Sequence, residues 1–267
     1  MKYFRLFLLT SLITTLVHSR EFAPFDNGLN DFESYQDKVA ALKELGYNGT
    51  TWRPGDTQEF LIELDKADLQ LYATYVVLRA TPDGCPIPQV VMDEIRVLRG
   101  RNTVIWLTIV GETSDKIALE AIRTISTLAK TNDLRVALYP HYGFKIDTVA
   151  TALQFTKLIN ESHVGVSFNL CHFLKQNDEA DLEATLQSAA ANLFLVSVNG
   201  ADRGDTQSMN WDQLIQPLGE GSFDTSRALD LLDEINYKGP VLLQCYNIDQ
   251  PDNVHLQRSM AAWKQVK

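Results

Sequence analysis

The sequence has 267 residues, a net charge of −10 at neutral pH and a hydrophobic fraction of 45%. This length and composition are typical of one large globular domain and exclude a disordered or low-complexity chain. The acidic balance also argues against nucleic acid as a partner, because no basic stripe is present to neutralise phosphates.

The first nineteen residues have the pattern of a secretory signal peptide. Lys2 and Arg5 form a basic start, and residues 6–17 are almost all apolar or hydroxylated. This run is too short for a comfortable membrane span, and no later segment is long enough, so we expect no stable membrane insertion. The sequence therefore predicts an exported protein, periplasmic or secreted, with a cleaved signal peptide over 1–19 and a mature domain over 20–267. The alternative is an N-terminal helix that stays in the fold.

After this segment, short β-rich runs alternate with amphipathic helical patterns. The stretch DFESYQDKVAALKELG is typical of the helices, because it places Tyr35, Val39, Leu42 and Leu45 on one face and ends at Gly46, a C-cap signal. Eight strand–helix units in about 250 residues predict a single α/β domain, a (β/α)8 TIM barrel, with a doubly wound open sheet as the alternative. We predict the strands near residues 22–26, 48–52, 70–77, 103–109, 134–140, 164–169, 193–199 and 240–246.

Local signals mark several connections between these elements. Ser114, Asp147 and Asp224 open helical patterns and are suited to the N-cap position. The segment 200–222 is rich in Gly, Asp and Gln and follows the seventh strand. We predict that it forms an extended βα loop over the mouth of the barrel, where long loops are more often functional than idle.

Side-chain alternation along the strands predicts a polar ring at one end of the barrel. In a barrel, one set of side chains faces the helices and the other faces the interior. The last inward-facing residues of strands five to eight are then His141, Asn169, Asn199 and Gln244. They lie at carboxyl ends of strands, where barrel enzymes keep their active sites. The alternative for each residue is a hydrogen-bonded polar cap on the barrel core.

Several longer motifs resemble the xylose-isomerase-like TIM barrel superfamily, which includes sugar isomerases, sugar epimerases and AP endonucleases of the family 2 type. The resemblance covers nearly the whole mature chain and implies the same barrel fold. FNLCHF, NGAD and QCYNI are similar to an exported bacterial branch of this superfamily. The matching stretches are LKELGYNGTTW, ALYPHYGF, VGVSFNLCHF, VSVNGAD, PLGEGSFD and YKGPVLLQCYNI.

The resemblance also implies where a divalent metal would lie, and here the sequence departs from the pattern. Metal-dependent members supply Glu, Asp, His and Glu from four strand ends, and this chain has His141, Asn169, Asn199 and Gln244 there. Hard cations such as Mg²⁺ or Mn²⁺ prefer anionic oxygen, so we do not expect that metal site to be intact. The cofactor stays open: His141 is the expected ligand of any bound metal, and His141 with His172 could hold a softer ion.

Two histidines and two glutamates are the candidate catalytic residues. His141 and His172 could each act as general base or acid, because imidazole titrates near neutral pH. Glu112 and Glu220 follow strands four and seven in loops that could reach the mouth. The structural alternatives are a loop histidine that caps backbone groups for His172 and a solvated charge at a helix start for Glu112.

A polar cup with aromatic faces suits a small carbohydrate, because sugar rings have apolar C–H faces and hydroxyls that need hydrogen-bond partners. The structural alternatives are an aromatic core for Trp106, a turn for Asp202 and a solvated charge for Lys175. The candidate substrate-binding residues are Asn169, Asn199, Gln244, Trp106, Tyr246, Asp202 and Lys175.

These residues and the resemblance favour an exported sugar-acting enzyme of the isomerase or epimerase type. One imidazole of His141 and His172 would remove a proton next to a carbonyl, and amide donors would hold the enolate oxygen. One alternative is a lyase that acts on keto-glycosides, which begins with the same step. The other alternative is a non-catalytic carbohydrate-binding barrel. The sequence gives no prediction of oligomeric state.

Overall fold

The computed structural model describes residues 20–266, and the predicted signal peptide lies outside this range. Eight parallel strands form one sheet, and all eight were predicted from the sequence. The predicted bounds were one to three residues too long at several ends. The strands are β1 Phe22–Pro24, β2 Gly49–Trp52, β3 Gln70–Arg79, β4 Val104–Val110, β5 Arg135–Leu138, β6 Val164–Asn169, β7 Leu193–Val198 and β8 Val241–Leu243.

The strands alternate with α-helices along the chain. Short 3₁₀ turns lie at Asp26–Gly28, Glu179–Asp181 and Ala190–Asn192. Between residues 20 and 266, no helix is long and apolar enough to cross a membrane. The helices are α1 Tyr35–Leu45, α2 Thr57–Lys66, α3 Gln89–Val97, α4 Asp115–Thr131, α5 Val149–Ile159, α6 Leu170–Gln176, α7 Leu182–Ala189, α8 Trp211–Leu214, α9 Thr225–Glu234 and α10 Asp252–Trp263.

The sheet curves round into a barrel. Its strand order is β1-β8-β7-β6-β5-β4-β3-β2, so β1 and β2 are the two ends that must meet. The backbone N–H of Asn48 donates to Phe22 O over 3.0 Å, and the N–H of Phe22 donates to Asn48 Oδ1 over 2.9 Å. These bonds join the ends of the sheet, which confirms a single (β/α)8 barrel and excludes the open doubly wound sheet.

The alternation of side chains divides the hydrophobic core into two parts, as predicted. Val136 and Leu138 of β5 pack in the layer between the sheet and the helices. Ala137 and Tyr139 point the other way and belong to a cluster inside the barrel that also contains Trp106. The interior cluster is therefore aromatic near the carboxyl ends of the strands, and it forms the base on which the site is built.

Local capping explains where several helices begin and end. Ser114 accepts a hydrogen bond from Ile117 N at the start of α4, and Gly46 ends α1 at a φ of +87°, which favours glycine. The prediction of Asp147 as the cap of α5 was wrong by one residue. Thr148 is the N-cap, and Asp147 Oδ1 instead accepts from the Thr151 hydroxyl at 2.9 Å.

Candidate active site

The carboxyl ends of the strands surround a cavity of about 400 Å³. This volume lies in the range of ligand pockets that hold small molecules. The cavity is where a barrel enzyme keeps its active site. Its walls are formed by Phe25, Asp26, Asn27, Thr51, Tyr75, Trp106, Tyr139, His141, Tyr142, His172, Trp211, Ile215, Gln244 and Tyr246.

Stacked aromatic rings form the inner end of this cavity. The rings of Trp106 and Tyr139 stack with centroids 4.1 Å apart, and Tyr75 meets both rings edge-on. Trp106 is 1% exposed, and its Nε1 donates to Ser167 Oγ over 2.7 Å inside the barrel. Trp106 was predicted to face inward and to bind substrate. It does face inward and its ring lines the cavity, while its Nε1 is held by Ser167 inside the barrel, and substrate binding stays a prediction.

His141 and His172 lie against each other at one side of the cavity. Their ring centroids are 3.9 Å apart, and the ring planes are inclined by 40°. Phe144 stacks on His141 at 3.9 Å, and Tyr139 meets both imidazoles edge-on at 5.6 and 5.7 Å. The predicted pair of imidazoles therefore shares one aromatic setting at the barrel mouth.

Burial keeps this pair neutral. It lowers the pKa of His141, against a weaker effect of the hydrogen bond to the Tyr142 carbonyl. Burial lowers the pKa of His172 well below its usual range, and a charge on neighbouring His141 would lower it further. His172 is only 5% exposed, whereas His141 is partly open to the cavity. Both rings are thus uncharged acceptors at neutral pH.

The hydrogen bond of His141 assigns its tautomer. Nδ1 lies 3.1 Å from the backbone carbonyl of Tyr142. A carbonyl oxygen can only accept, so Nδ1 of the neutral ring carries the proton and Nε2 carries the lone pair. The Nδ1 of His172 is buried with no hydrogen-bond partner among residues 20–266. His141 Nε2 is therefore the atom best prepared to take a proton from a ligand.

Asn169 supports His172 and Tyr139 instead of lining the main cavity. It ends β6 and caps α6, and its Oδ1 accepts from His172 N at 3.3 Å. Its Nδ2 donates to the Tyr139 hydroxyl over 2.8 Å. Asn169 lines a smaller adjoining cavity of about 160 Å³, which His172 also borders. The side chain thus positions two cavity residues.

The other two predicted amides are placed differently from each other. Asn199 is fully buried and does not line the cavity, because its Nδ2 donates to the carbonyls of Gly200 and Leu214 over 2.8 and 2.6 Å. It fixes the start of the long loop after β7. Gln244 does line the cavity, and its Oε1 accepts from Tyr246 N at 3.0 Å, which leaves Nε2 as a donor.

The three loop carboxylates predicted near the site do not line the cavity. Glu112 is exposed at the start of the loop between β4 and α4. Glu220 Oε1 accepts from Arg258 Nη1 at 3.0 Å, which directs it towards α10. Asp202 Oδ1 accepts from Ser222 N at 3.2 Å inside its own loop. Asp202 is therefore used inside its own loop, Glu220 pairs with α10, and Glu112 is exposed to solvent.

The loop after β7 forms one edge of the cavity, as its length suggested. Lys175 Nζ donates to the carbonyls of Gln207 and Met209 over 2.8 and 2.6 Å and lies 5.8 Å from the ring of Trp211. Trp211 meets His172 edge-on at 5.4 Å. Lys175 thus holds the loop over the histidines and does not line the cavity itself.

The outer rim of the cavity exposes two large aromatic side chains. Tyr142 and Tyr246 line the mouth and are 44% and 55% exposed. Trp211 contacts Tyr142 with ring centroids 6.0 Å apart. These rings offer stacking faces to a ligand that enters the cavity.

A carboxylate inside the cavity was missed by the sequence analysis. Asp26 lies just after β1, is 9% exposed and pairs with Arg53 Nε at 2.7 Å. Burial raises its pKa, and Arg53 partly opposes that effect. Asn27 and Thr51 line the same wall, and Asn27 Oδ1 is buried with no partner among residues 20–266. The sequence FDNG is typical of a turn, so Asp26 and Asn27 were not predicted to line the cavity.

The residues present do not fit the divalent metal site of metal-dependent barrels. In the described part of the chain, no three His, Cys, Asp or Glu side chains converge as ligands. The oxygens of Asn169 and Gln244, which would have to replace carboxylates, already accept backbone N–H groups. Asn199 faces backbone carbonyls with its amide nitrogen. This donor set lacks the anionic oxygen that a hard cation prefers.

Comparison with known families agrees with the fold. A family model for the xylose isomerase-like TIM barrel matches residues 90–266, which is more than half of the chain. The chain belongs to the xylose isomerase-like TIM barrel family. The resemblance inferred from the motifs at strands five to eight is thereby confirmed. The polar amides at the strand ends are a departure within that family, not evidence against membership.

Three solved structures illustrate how similar folds superpose on most of the chain. The apo 3-keto-D-glucoside 4-epimerase YcjR from E. coli has a TM-score of 0.72 at 15% identity, over 92% of this chain and 99% of that one. D-Allulose 3-epimerase from Methylomonas sp. has a TM-score of 0.72 at 13% identity, over 93% and 99%. The probable 3-DHS dehydratase AsbF from Bacillus anthracis has a TM-score of 0.74 at 13% identity, over 91% and 98%.

These identities are low, so the superpositions show a shared fold alone. Among proteins of curated function, no significant match to the sequence is found. The chemistry of this chain therefore has to be argued from its own cavity.

Proposed function

We propose that this xylose isomerase-like barrel is a sugar epimerase or isomerase that removes a proton next to a carbonyl. The observation that carries the proposal is the neutral His141–His172 pair at the wall of an aromatic cavity. A neutral imidazole can accept a proton at physiological pH.

His141 Nε2 is the proposed base. Its lone pair is available because Nδ1–H donates to the Tyr142 carbonyl. Removal of a proton from the carbon next to a ketone moves charge to the carbonyl oxygen, which then needs a hydrogen-bond donor. Gln244 Nε2 is the proposed donor, because its Oε1 is already occupied by the Tyr246 N–H. Nearby Asn27 and Thr51 supply polar groups for ring hydroxyls.

A carbohydrate is the proposed ligand because of the cavity wall. Trp106, Tyr75 and Tyr139 present ring faces and edges at the inner end, and Tyr246 presents an exposed ring at the rim. Such surfaces suit the apolar C–H faces of a sugar ring, while the amides suit its hydroxyls. The names of the structural neighbours, which include a keto-glucoside epimerase and an allulose epimerase, agree with this ligand class.

The test is turnover and solvent-proton exchange by the purified mature protein. Methyl 3-keto-D-glucoside and D-allulose are incubated in D₂O and followed by NMR. We expect exchange of the hydrogen next to the ketone and formation of an epimer or isomer. His141→Gln is expected to lower the rate of epimer or isomer formation by about 10²–10⁴-fold, the usual contribution of a general base. His163→Gln is the matched control, because His163 contacts Ser126 on α4 outside the cavity.

The same assay separates the alternatives. Saturable binding without exchange would replace the enzyme by a carbohydrate-binding barrel. Exchange followed by an unsaturated product and release of the aglycone would identify a lyase acting on keto-glycosides. Native rates of epimer or isomer formation in the His141→Gln protein, with its fold intact by circular dichroism, would remove His141 from the mechanism.

We also propose that the protein works outside the cytoplasm, in the periplasm or as a secreted protein. The support is the signal-like sequence over residues 1–19. Mass spectrometry of the protein from an exported fraction is expected to give a chain that starts near residue 20. Recovery of the intact chain from the cytoplasm only would contradict export.

A further inference from the structure

Asp26 is a carboxyl group at the cavity that has no role in the reaction proposed above. It follows β1 by two residues, lines the cavity and is 9% exposed. Its backbone N–H donates to Thr51 Oγ1 at 3.2 Å, and Arg53 Nε holds Oδ2 at 2.7 Å. The carboxyl is therefore fixed in position at the wall, as a reacting group needs to be.

The order of the strands sets Asp26 opposite the histidines. In the ring β1-β8-β7-β6-β5-β4-β3-β2, the strand four positions away from β1 in either direction is β5. His141 lies three residues beyond the end of β5, and Asp26 lies two beyond the end of β1. Both line the same cavity. A ligand bound between them has one of these groups on each side.

The surroundings of Asp26 leave it able to give or take a proton. Burial raises its pKa, and the ion pair with Arg53 opposes this only in part. Burial raises the pKa of Tyr75, and the charge of nearby Asp26 raises it further. Burial raises the pKa of the Cys245 thiol, and the charges of Asp252 and Asp26 add to that effect. Arg53 is 62% exposed, so solvent weakens its pull.

We infer that Asp26 is the second acid–base residue of an epimerisation, acting on the face of the substrate opposite His141. This inference rests on the proposed function and narrows it to inversion at the carbon next to a ketone in a sugar or glycoside. His141 takes the proton from one face as the C–H bond breaks, and the electron pair moves to the carbonyl oxygen as an enolate. In the enzyme form whose Asp26 is protonated, that carboxyl then gives its proton to the opposite face, the carbonyl re-forms and the carbon is inverted. The resulting His141 imidazolium and Asp26 carboxylate exchange protons with solvent before the next turnover. No oxidant or reductant is consumed.

The arrangement also explains why one base would be insufficient. A single group on one face returns the proton to the side from which it came and regenerates the substrate. Inversion needs a proton donor on the opposite face, and Asp26, just after β1, lines the cavity at that side. In the reverse direction Asp26 is the base and His141 is the acid, so each epimer loses its proton to a different residue.

Face-specific exchange in D₂O tests this assignment. Asp26→Asn and His141→Gln are compared with the native protein on both epimers of each pair: methyl 3-keto-D-glucoside with its C4 epimer, and D-allulose with D-fructose. In Asp26→Asn we expect epimerisation to fall at least 100-fold. Exchange of the epimer whose proton faces His141 should stay within about threefold of the native rate, while exchange of the other epimer is lost. His141→Gln should show the reverse pattern.

Asp249→Asn is the matched control, because it makes the same charge change at an exposed position that does not line the cavity. Circular dichroism and the thermal midpoint confirm folding of each variant. Equal loss of exchange from both epimers in folded Asp26→Asn would overturn the face assignment, as would epimerisation within tenfold of native. A native protein that exchanges neither epimer would instead show that the proposed function itself is wrong, and the inference would fall with it.

Discussion

Acidification should destabilise this protein through His172. Burial holds the pKa of His172 well below its usual range in the folded chain, whereas in the unfolded chain it returns to about 6.5. As the pH falls below that value, His172 binds a proton in the unfolded chain but not in the folded chain. The contribution of neutral His172 to the free energy of unfolding is therefore fully present above the pKa of the unfolded state. It is lost progressively as the pH falls towards the pKa of the folded state.

The magnitude follows from the burial of the ring. His172 is 5% exposed, so its ring stays neutral in the folded state over the upper part of the pH range between its unfolded-state and folded-state pKa values. Linkage then predicts a loss of about 1.4 kcal/mol between about pH 7.5 and pH 5.5 for one such histidine. His141 has a lowered pKa too, but it is partly open to the cavity and adds a smaller amount.

Urea denaturation at the two pH values measures this effect. His172→Gln should lose about 1.4 kcal/mol less than the native protein on acidification, because glutamine does not titrate. The comparison uses only the change with pH, so a general loss of packing in the variant does not matter. His163→Gln is the control and should keep the loss that we assign to His172. An equal loss in native and His172→Gln proteins would refute the assignment.

Three further substitutions test other parts of the structure. Trp106→Phe removes the 2.7 Å bond to Ser167 and should lower the free energy of unfolding by about 1–3 kcal/mol in urea titrations. Gly111→Ala should cost about 3 kcal/mol or more, visible as a lower thermal midpoint, because φ is +103° and a Cβ would lie 2.2 Å from Ala80 O. Tyr246→Ala should leave stability unchanged within about 0.5 kcal/mol but weaken carbohydrate affinity about tenfold in calorimetry.

The barrel was predictable because its signals are local. A buried parallel strand shows as a short apolar run, and alternation along it assigns each side chain to a layer. Val136, Leu138 and Tyr139 follow this rule. Beyond the end of a strand, however, alternation no longer predicts where a side chain points. β5 ends at Leu138 and β8 at Leu243, so the positions of His141 and Gln244 depend on the loops that follow.

The candidate site was only partly predictable for the same reason. Trp106 and the two histidines were predicted near the mouth because they lie on or shortly after β4, β5 and β6, whose apolar runs are clear in the sequence. Asp26 was missed because β1 has only three residues and the following DNG is typical of a turn. Glu220 was expected at the mouth, but its contact with Arg258 of α10 depends on the path of a loop that no local pattern specifies.

The amides at the strand ends explain how this barrel keeps a cavity without the ligand set of its metal-dependent relatives. A carboxylate at the end of β6 could accept from His172 N, but it could not donate to the Tyr139 hydroxyl as Asn169 Nδ2 does. Asn199 likewise donates to two carbonyls. Amides at these positions thus fix the backbone and the aromatic wall, and in the mechanism that we propose the histidines on one side and Asp26 on the other transfer the protons.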